Sequence, residues 1–416
     1  MSNKSNRKST FILVIVLILS LCFAGCSKSE DTQDADITQS PVTTEVPEDT
    51  PAPTAVPTAT PTPSPIPSPT PSPTPTPTPE PTPDPDDPMS GLLAFEPYET
   101  YENNVDGHHT WNPHVFGYFH QQYHGDEKRE AFFNLIDALI AGETTFECAN
   151  EDAYYWAIGG RFITRFFPPA TDCIEYSSEG YKNGVGSIKL TVPEEVLAAR
   201  ISEFGQMVTE ILDDVVSDDY NDFETAIALY DYIARNWVYD YEEYDAMQES
   251  VWDDEDSIYR CFKERKGICW EIADMYAYLL MQCGIEADEV SGDLSYMPEG
   301  HEWTALKIND KWYMADATWA LTDWTTCYLE YFLFDEDRRI DVDCFTPESI
   351  SVAGWHGESY TKYGVVMDNN EYADMRQLEY FGINRETQSV IGRNWSLEFV
   401  ARPYETTEVP NEQADD

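Results

Sequence analysis

Three residues of this 416-residue chain could together carry out nucleophilic chemistry: Cys269, His301 and Asp316. A cysteine thiolate attacks a carbonyl or carboxamide carbon. An imidazole takes the thiol proton and later returns it to the leaving amine. A carboxylate holds the imidazole in one tautomer and stabilises its cation. Three residue types in the order Cys, His, Asp are a weak signal alone. Their weight depends on the elements that position them.

Residues 267–284 read GICWEIADMYAYLLMQCG, and Ile272, Met275, Tyr276, Leu279 and Cys283 fall on one helical stripe. Gly267 precedes this helix and Gly284 ends it, which puts Cys269 in the first turn. A helix N-terminus presents free N–H groups and a partial positive charge, both of which favour a thiolate. The same N–H groups can serve an oxyanion hole. The other reading of Cys269 is a small buried apolar residue. Cys261, Cys327 and Cys344 have no such helix start.

Ile285 to Gly292 reads as a buried strand with a turn. HEWTALKI (301–308) and KWYMADATW (311–319) flank Asn309-Asp310 and alternate in polarity, which predicts a hairpin with a two-residue turn. If Ile308 pairs with Lys311, paired numbers sum to 619, so Trp303 lies opposite Asp316 and His301 opposite Thr318. His301 and Asp316 are then diagonal neighbours on one face, about 7–8 Å apart at the backbone and within side-chain reach. A three-residue loop would put them on opposite faces.

The combined pattern resembles the transglutaminase-like superfamily. The residues that carry it are Gly267, Cys269 and Trp270; Gly284 and Gly292; His301 and Trp303; and Trp312, Tyr313, Asp316, Thr318 and Trp319. NWVYDY (236–241) also resembles the segment before the family's catalytic helix, and the likeness runs over roughly residues 223–335. The resemblance implies an α+β, papain-like core with Cys269 at a helix start and His301 and Asp316 on an antiparallel sheet. It implies acyl transfer through a thioester and no cofactor. Trp270 and Trp303 flank the site, as walls of a substrate cleft or as core. Glu271 departs from the pattern: it either raises the thiol pKa or faces solvent as a favourable first-turn charge.

The N-terminus reads as an export signal. Lys4, Arg7 and Lys8 precede an apolar run from Phe11 to Leu21, too short to span a bilayer comfortably. Phe23-Ala24-Gly25-Cys26 resembles the lipobox of bacterial lipoproteins, with Phe23 where Leu is usual. Cys26 would then be lipidated and anchor the chain at the extracellular face of the membrane. Ordinary signal cleavage would instead give a soluble secreted protein. From Pro41 to Pro88 proline alternates with Thr or Ser, and 19 of the chain's 28 prolines lie there. Such a run favours polyproline II and buries no core. At about 3.1 Å per residue, roughly 48 residues reach on the order of 150 Å, a stalk or spacer.

The expected organisation is a signal peptide at 1–25, a lipidated N-terminus and linker at 26–88, and a mixed helical extension at 89–215. A transglutaminase-like core at 216–340 and a C-terminal extension at 341–416 follow. Expected helices cover 126–141, 194–216 and 223–236; GSIKL (186–190) reads as a strand, and Tyr154 to Phe167 fits either strand or helix. The formal charge of -52 argues against nucleic acid and permits a cationic substrate. With Cys22, Cys26 and Cys269 set aside, six of the nine cysteines remain, an even number that allows disulfides outside the cell.

Five histidines crowd residues 108–124, and His120 and His124 stand at i, i+4. No carboxylate lies between them in the zinc-protease pattern, so aromatic-rich surface packing is expected and no metal. His356 is the rival downstream base, with no nucleophile signal around it. The acidic run Asp213 to Glu224 reads as a solvated link. The function expected is extracellular, cysteine-dependent acyl transfer on peptide or protein amides. Peptidase or amidase action leads, and cross-linking uses the same intermediate. The membrane is met through the lipid only. The alternatives are a non-catalytic binding or cell-wall module and a stalk-borne adhesin.

Overall fold

The computed structural model describes residues 109–176, 180–248, 258–296, 300–322, 326–353 and 358–404. The chain divides into units 1–76 and 77–416, and every described residue lies in the second. Cys26, the export signal, the proline-rich run, His108 and His356 lie outside the described residues.

The centre is one helix against one sheet. Helix α8 (Cys269–Gln282) packs on a four-stranded antiparallel sheet of order β8-β7-β6-β9. Its strands are β6 (Ala287–Asp293), β7 (Gly300–Ile308), β8 (Lys311–Ala315) and β9 (Ser351–Val352). Strand alternation gives the sheet two dissimilar faces. Leu306, Ile308, Tyr313 and Ala315 join Ile272, Met275 and Leu279 of α8 in one core. Trp303, Ala305, Trp312 and Met314 point the other way, into a second core with Phe334, Phe345 and Tyr360. Helices α4 (Glu194–Val215), α5 (Asp222–Asn236) and α7 (Ile258–Glu264) complete the first core. A short parallel pair, β4 (Val238–Tyr239) and β5 (Lys266–Gly267), leads into α8, and α6 (Tyr241–Gln248) follows β4.

The N-terminal described segment forms a third core from α1 (Tyr118–Ala141), α2 (Glu151–Ala157), α3 (Gly160–Phe166) and the small sheet β1-β3-β2. Those strands are β1 (Thr145–Glu147), β2 (Tyr181–Lys182) and β3 (Val185–Ser187). The expected helix over 126–141 starts earlier, at Tyr118, with a break at Gly125 where φ is 75°. Tyr154 to Phe167 falls on two short helices separated at Ile158-Gly159, and the strand expected over 186–190 ends at Ser187. Two contacts tie this segment to the sheet. Arg165 of α3 pairs with Asp274 of α8 at 3.1 Å and with Glu289 of β6. Asp288 of β6 accepts from the His120 ring at 3.0 Å and from the Phe119 N–H at 2.8 Å.

His120 and His124 therefore do not form the surface packing that their spacing suggested. Both are buried, at 1% and 7% exposure, among Phe162, Phe166 and Trp156. Burial pushes both imidazoles down, His124 to about 3. Among the described residues no group of His, Cys, Asp and Glu is arranged to hold a metal ion. The acidic run expected as a solvated link also ends inside the fold: Glu224 is buried, at the N-terminus of α5, where its carboxylate accepts from the Tyr404 hydroxyl at 2.5 Å.

The C-terminal part adds α9 (Glu336–Asp341) and a three-stranded sheet β10-β11-β12. Its strands are β10 (Glu379–Asn384), β11 (Ser389–Arg393) and β12 (Phe399–Pro403). All seven described cysteines are free thiols, so the disulfides that their even number allowed are not formed. Among the described residues no helix is long and apolar enough to cross a membrane.

The β7–β8 hairpin has the register of a two-residue turn: Ile308 pairs with Lys311 and Thr304 with Ala315. Asn309 and Asp310 both have positive φ, 50° and 61°, as a type I′ turn requires. A left-handed residue with a side chain costs roughly 1–2 kcal/mol, and glycine's added chain entropy costs about 0.5–1. Asp310→Gly is thus expected to stabilise the fold by ~0.5–1 kcal/mol. The urea midpoint at pH 7 measures this, and an unchanged or lower midpoint would refute the turn assignment.

Candidate active site

Cys269 is the first residue of α8 and is half-buried. Two features hold its backbone. Gly267 permits close approach: a Cβ there would lie 2.8 Å from the Cys261 sulfur and 3.3 Å from Glu271 Cβ. Glu271 folds back on the helix start, its Oε2 accepting the Ile268 N–H at 3.0 Å. Glu271 does not face solvent. It is fully buried, and Arg260 of α7 donates to it at 2.6 Å. The first-turn charge expected from the sequence is present, but its company is a guanidinium and not water.

The hairpin delivers the other two residues. His301 lies on β7 and Asp316 just past the end of β8, both buried on the face opposite α8. His301 Nε2–H donates to Asp316 Oδ2 at 2.7 Å, since a carboxylate can only accept. The Cys269 thiol stands close enough to the same imidazole ring to help hold it up. The structure thus brings all three residues together. Burial pushes His301 down, but Asp316 and Cys269 outweigh it and hold the imidazole up at about 9. Burial pushes Asp316 up, but His301 and Arg339 outweigh it and hold the carboxyl down at about 2.

Arg339 was not singled out in the sequence. It belongs to α9, is fully buried, and donates to the same Asp316 Oδ2 that accepts from His301. Its Nη1 also donates to Asp343 at 3.1 Å. Taking a guanidinium out of water costs several kcal/mol. Two carboxylates offset this, together with the ring faces of Trp303, Trp319, Phe334 and Phe345 at 4.4, 4.6, 4.6 and 5.0 Å. No local signal marks Arg339: the adjacent pair Arg338-Arg339 has counterparts in Lys128-Arg129 and Arg265-Lys266.

Aromatic rings set the imidazole plane. Trp319 stacks on His301 at 4.9 Å and 18°, and Trp303 lies at 6.1 Å and 28°. Trp303 is fully buried, so as a cleft candidate it is corrected: it packs beneath His301 in the core and does not line an open surface. Trp270 is half-buried beside Cys269. Tyr239 of β4, opposite Gly267, also stands close to the thiol; burial first and then Cys269 push its hydroxyl up.

A comparison with protein families bears on this core. Residues 209–317 match the family model described as Transglutaminase-like superfamily. The chain carries a transglutaminase-like domain there, and its mixed helix-and-sheet centre has the corresponding fold. No curated protein matches the chain. Similar solved structures include a candidate cysteine protease from Cytophaga hutchinsonii: 19% identity, 27% of this chain and 37% of that one, TM-score 0.23. A TGase gives 17%, 32%, 35% and 0.26. Arylamine N-acetyltransferase C from Bacillus anthracis gives 20%, 28%, 48% and 0.21. The chain spans between about a third and a half of the length of these three proteins.

The shared Asp316 carboxylate sets a stability window. Asp316, held below its ordinary 3.8, stabilises the fold fully above about pH 4, and the contribution is lost as pH falls through about 2. His301, held above 6.5, contributes fully below about pH 6.5, and loses this as pH rises through about 9. Arg339→Met removes one partner from a buried ion group and is expected to cost about 3–5 kcal/mol at pH 7. The loss of stability between about pH 4 and pH 2 should also be smaller than in the wild type, because Asp316 is then held less far below its ordinary value. Urea unfolding of both proteins from pH 2 to 10 tests this. Equal pH profiles would mean that Arg339 does not support the charge on Asp316.

Proposed function

We propose that the transglutaminase-like domain of this chain is a cysteine-dependent acyl-transfer site acting on peptide or protein amides, with Cys269, His301 and Asp316 as its catalytic residues. The observation that carries this reading is the buried His301–Asp316 hydrogen bond at 2.7 Å, with Cys269 close enough to the same ring to help hold it up. A general cysteine-dependent activity accords with the family match. The substrate class and the extracellular setting are our inference from the sequence.

The chemistry follows from the geometry. Cys269 gives its proton to the imidazole nitrogen not engaged by Asp316, and the sulfur forms a bond to the amide carbon. Backbone N–H groups at the α8 N-terminus are suited to receive the developing oxyanion. The C–N bond then breaks as His301 returns the proton to the leaving amine, which leaves a thioester. Water attack on that thioester, deprotonated by His301, gives a carboxylate and regenerates the thiol. Amine attack in its place forms a new amide, that is, a cross-link. Asp316 stays ionised throughout and keeps the ring in one tautomer. Peptidase or amidase action is the leading form of this activity. In the intact chain the domain would stand away from a membrane on the proline-rich run, anchored by a lipid on Cys26.

The pH dependence of Cys269 alkylation by iodoacetamide tests the reading, with wild type and His301→Ala compared and the modified residue identified by peptide mass analysis. A thiolate–imidazolium pair predicts rapid alkylation at pH 6, at least tenfold faster than for the other thiols. It also predicts loss of that advantage in the variant. If Cys269 reacts as an ordinary thiol in both proteins, the catalytic reading fails and a non-catalytic binding module takes its place.

A further inference from the structure

A second charged assembly holds the first turn of the helix that begins at Cys269. Its centre is Arg260 of α7, whose side chain is 10% exposed. Nη1 donates to Asp240 at 2.7 Å and Nη2 donates to Glu271 at 2.6 Å. Asp240 follows β4 directly, and its N–H donates to the Gly267 carbonyl at 3.0 Å. Glu271 in turn accepts the Ile268 N–H. One guanidinium therefore joins the strand that carries Tyr239 to the first turn of the helix that carries the nucleophile.

This arrangement poses an electrostatic problem. Glu271 is 0% exposed and two residues from Cys269 in the same helical turn. An uncompensated buried carboxylate there would oppose formation of a thiolate. His301 from β7 and Tyr239 from β4 stand close to the thiol, and Glu271 lies two residues along the same helix. Asp240, Glu271 and, at 3.7 Å, Glu264 face Arg260. Lys266 shares Asp240 at 3.1 Å, so Asp240 has a second cation. Arg260 pairs directly with Glu271 at 2.6 Å.

We propose that Arg260 is a positioning residue for Cys269: it cancels the charge of the buried Glu271 and clasps the start of α8 to β4, so that a thiolate can form at the helix N-terminus. The inference rests on the reading of Cys269 as the nucleophile. It assigns to α7, outside the three catalytic residues, control over the pH at which the thiol becomes reactive.

The test is the alkylation pH profile of Cys269 in the full chain, with folding checked by near-UV circular dichroism. Arg260→Ala is expected to move the reactivity midpoint upward and to slow alkylation at pH 6 by at least tenfold. Arg260→Ala combined with Glu271→Gln is expected to restore the midpoint, because the charge that needed cancelling is gone. A folded Arg260→Ala protein with the wild-type midpoint overturns the proposal. So does a double variant that stays at the single variant's midpoint, which would make the clasp structural only. Should Arg260→Ala not fold, Glu271→Gln alone decides: it leaves Arg260 with less to balance and should lower the midpoint, whereas an unchanged or raised midpoint overturns the proposal. His301→Ala separates the two readings. If it leaves the wild-type profile unaltered, the nucleophile assignment itself has failed; if it alters the profile and Arg260→Ala does not, only this inference has.

Discussion

The structure depends on keeping one carboxylate ionised inside an apolar layer. Asp316 lies among aromatic rings with no exposed surface, where an unpaired charge would cost several kcal/mol. Two cations share its Oδ2, the His301 imidazole and the Arg339 guanidinium. Both need aromatic faces to sit against, which accounts for the density of Trp and Phe on this side of the sheet. The neutral alternative, a protonated Asp316, would release the imidazole from its tautomer. Charge balance and ring packing therefore specify each other, and neither half of the second core could be altered alone.

The opposite side of the sheet uses the same device for another purpose. Arg165 brings α3 against Asp274 and Glu289, and the burial of Asp274 pushes its carboxyl up to about 7. His120 and Asp288 close a second polar contact nearby. These groups lie between the N-terminal segment and the central helix and sheet. A chain with such an excess of acid places several of its few arginines indoors, each between two or more carboxylates. Arginine suits these positions because its planar fork reaches separate carboxylates with separate N–H groups, and it does not lose its proton on burial.

The parts of the site legible in the sequence were those governed by local rules. The start of α8 follows from a glycine-bounded run with one apolar stripe, and the hairpin register from a two-residue turn between alternating strands. Those two elements alone specify how Cys269, His301 and Asp316 meet. The residues that escaped are those set by tertiary contact. Arg339 lies 23 residues beyond Asp316 in an acidic stretch with no periodicity, so nothing local marks it as buried. Glu271 read correctly as a first-turn carboxylate, but the guanidinium that turns it inward belongs to another helix. His120 and His124 looked superficial because the carboxylate that draws His120 inward, Asp288, is 168 residues away in the chain. Trp303 alternates in the strand pattern, and which face becomes core is decided by what packs above it.

The family likeness ends at Ala317, yet the carboxylate just before that boundary is balanced from outside it. Cys269, His301 and Asp316 all fall in the matched stretch; the cation that offsets the burial of Asp316 belongs to α9. The unit that could be inherited, transplanted or shortened without leaving a stranded charge therefore runs on through Phe345, whose ring closes over Arg339. Sequence similarity and physical self-sufficiency have different borders here. Cut at Ala317, this chain would leave the Asp316 carboxylate without the guanidinium that now shares it.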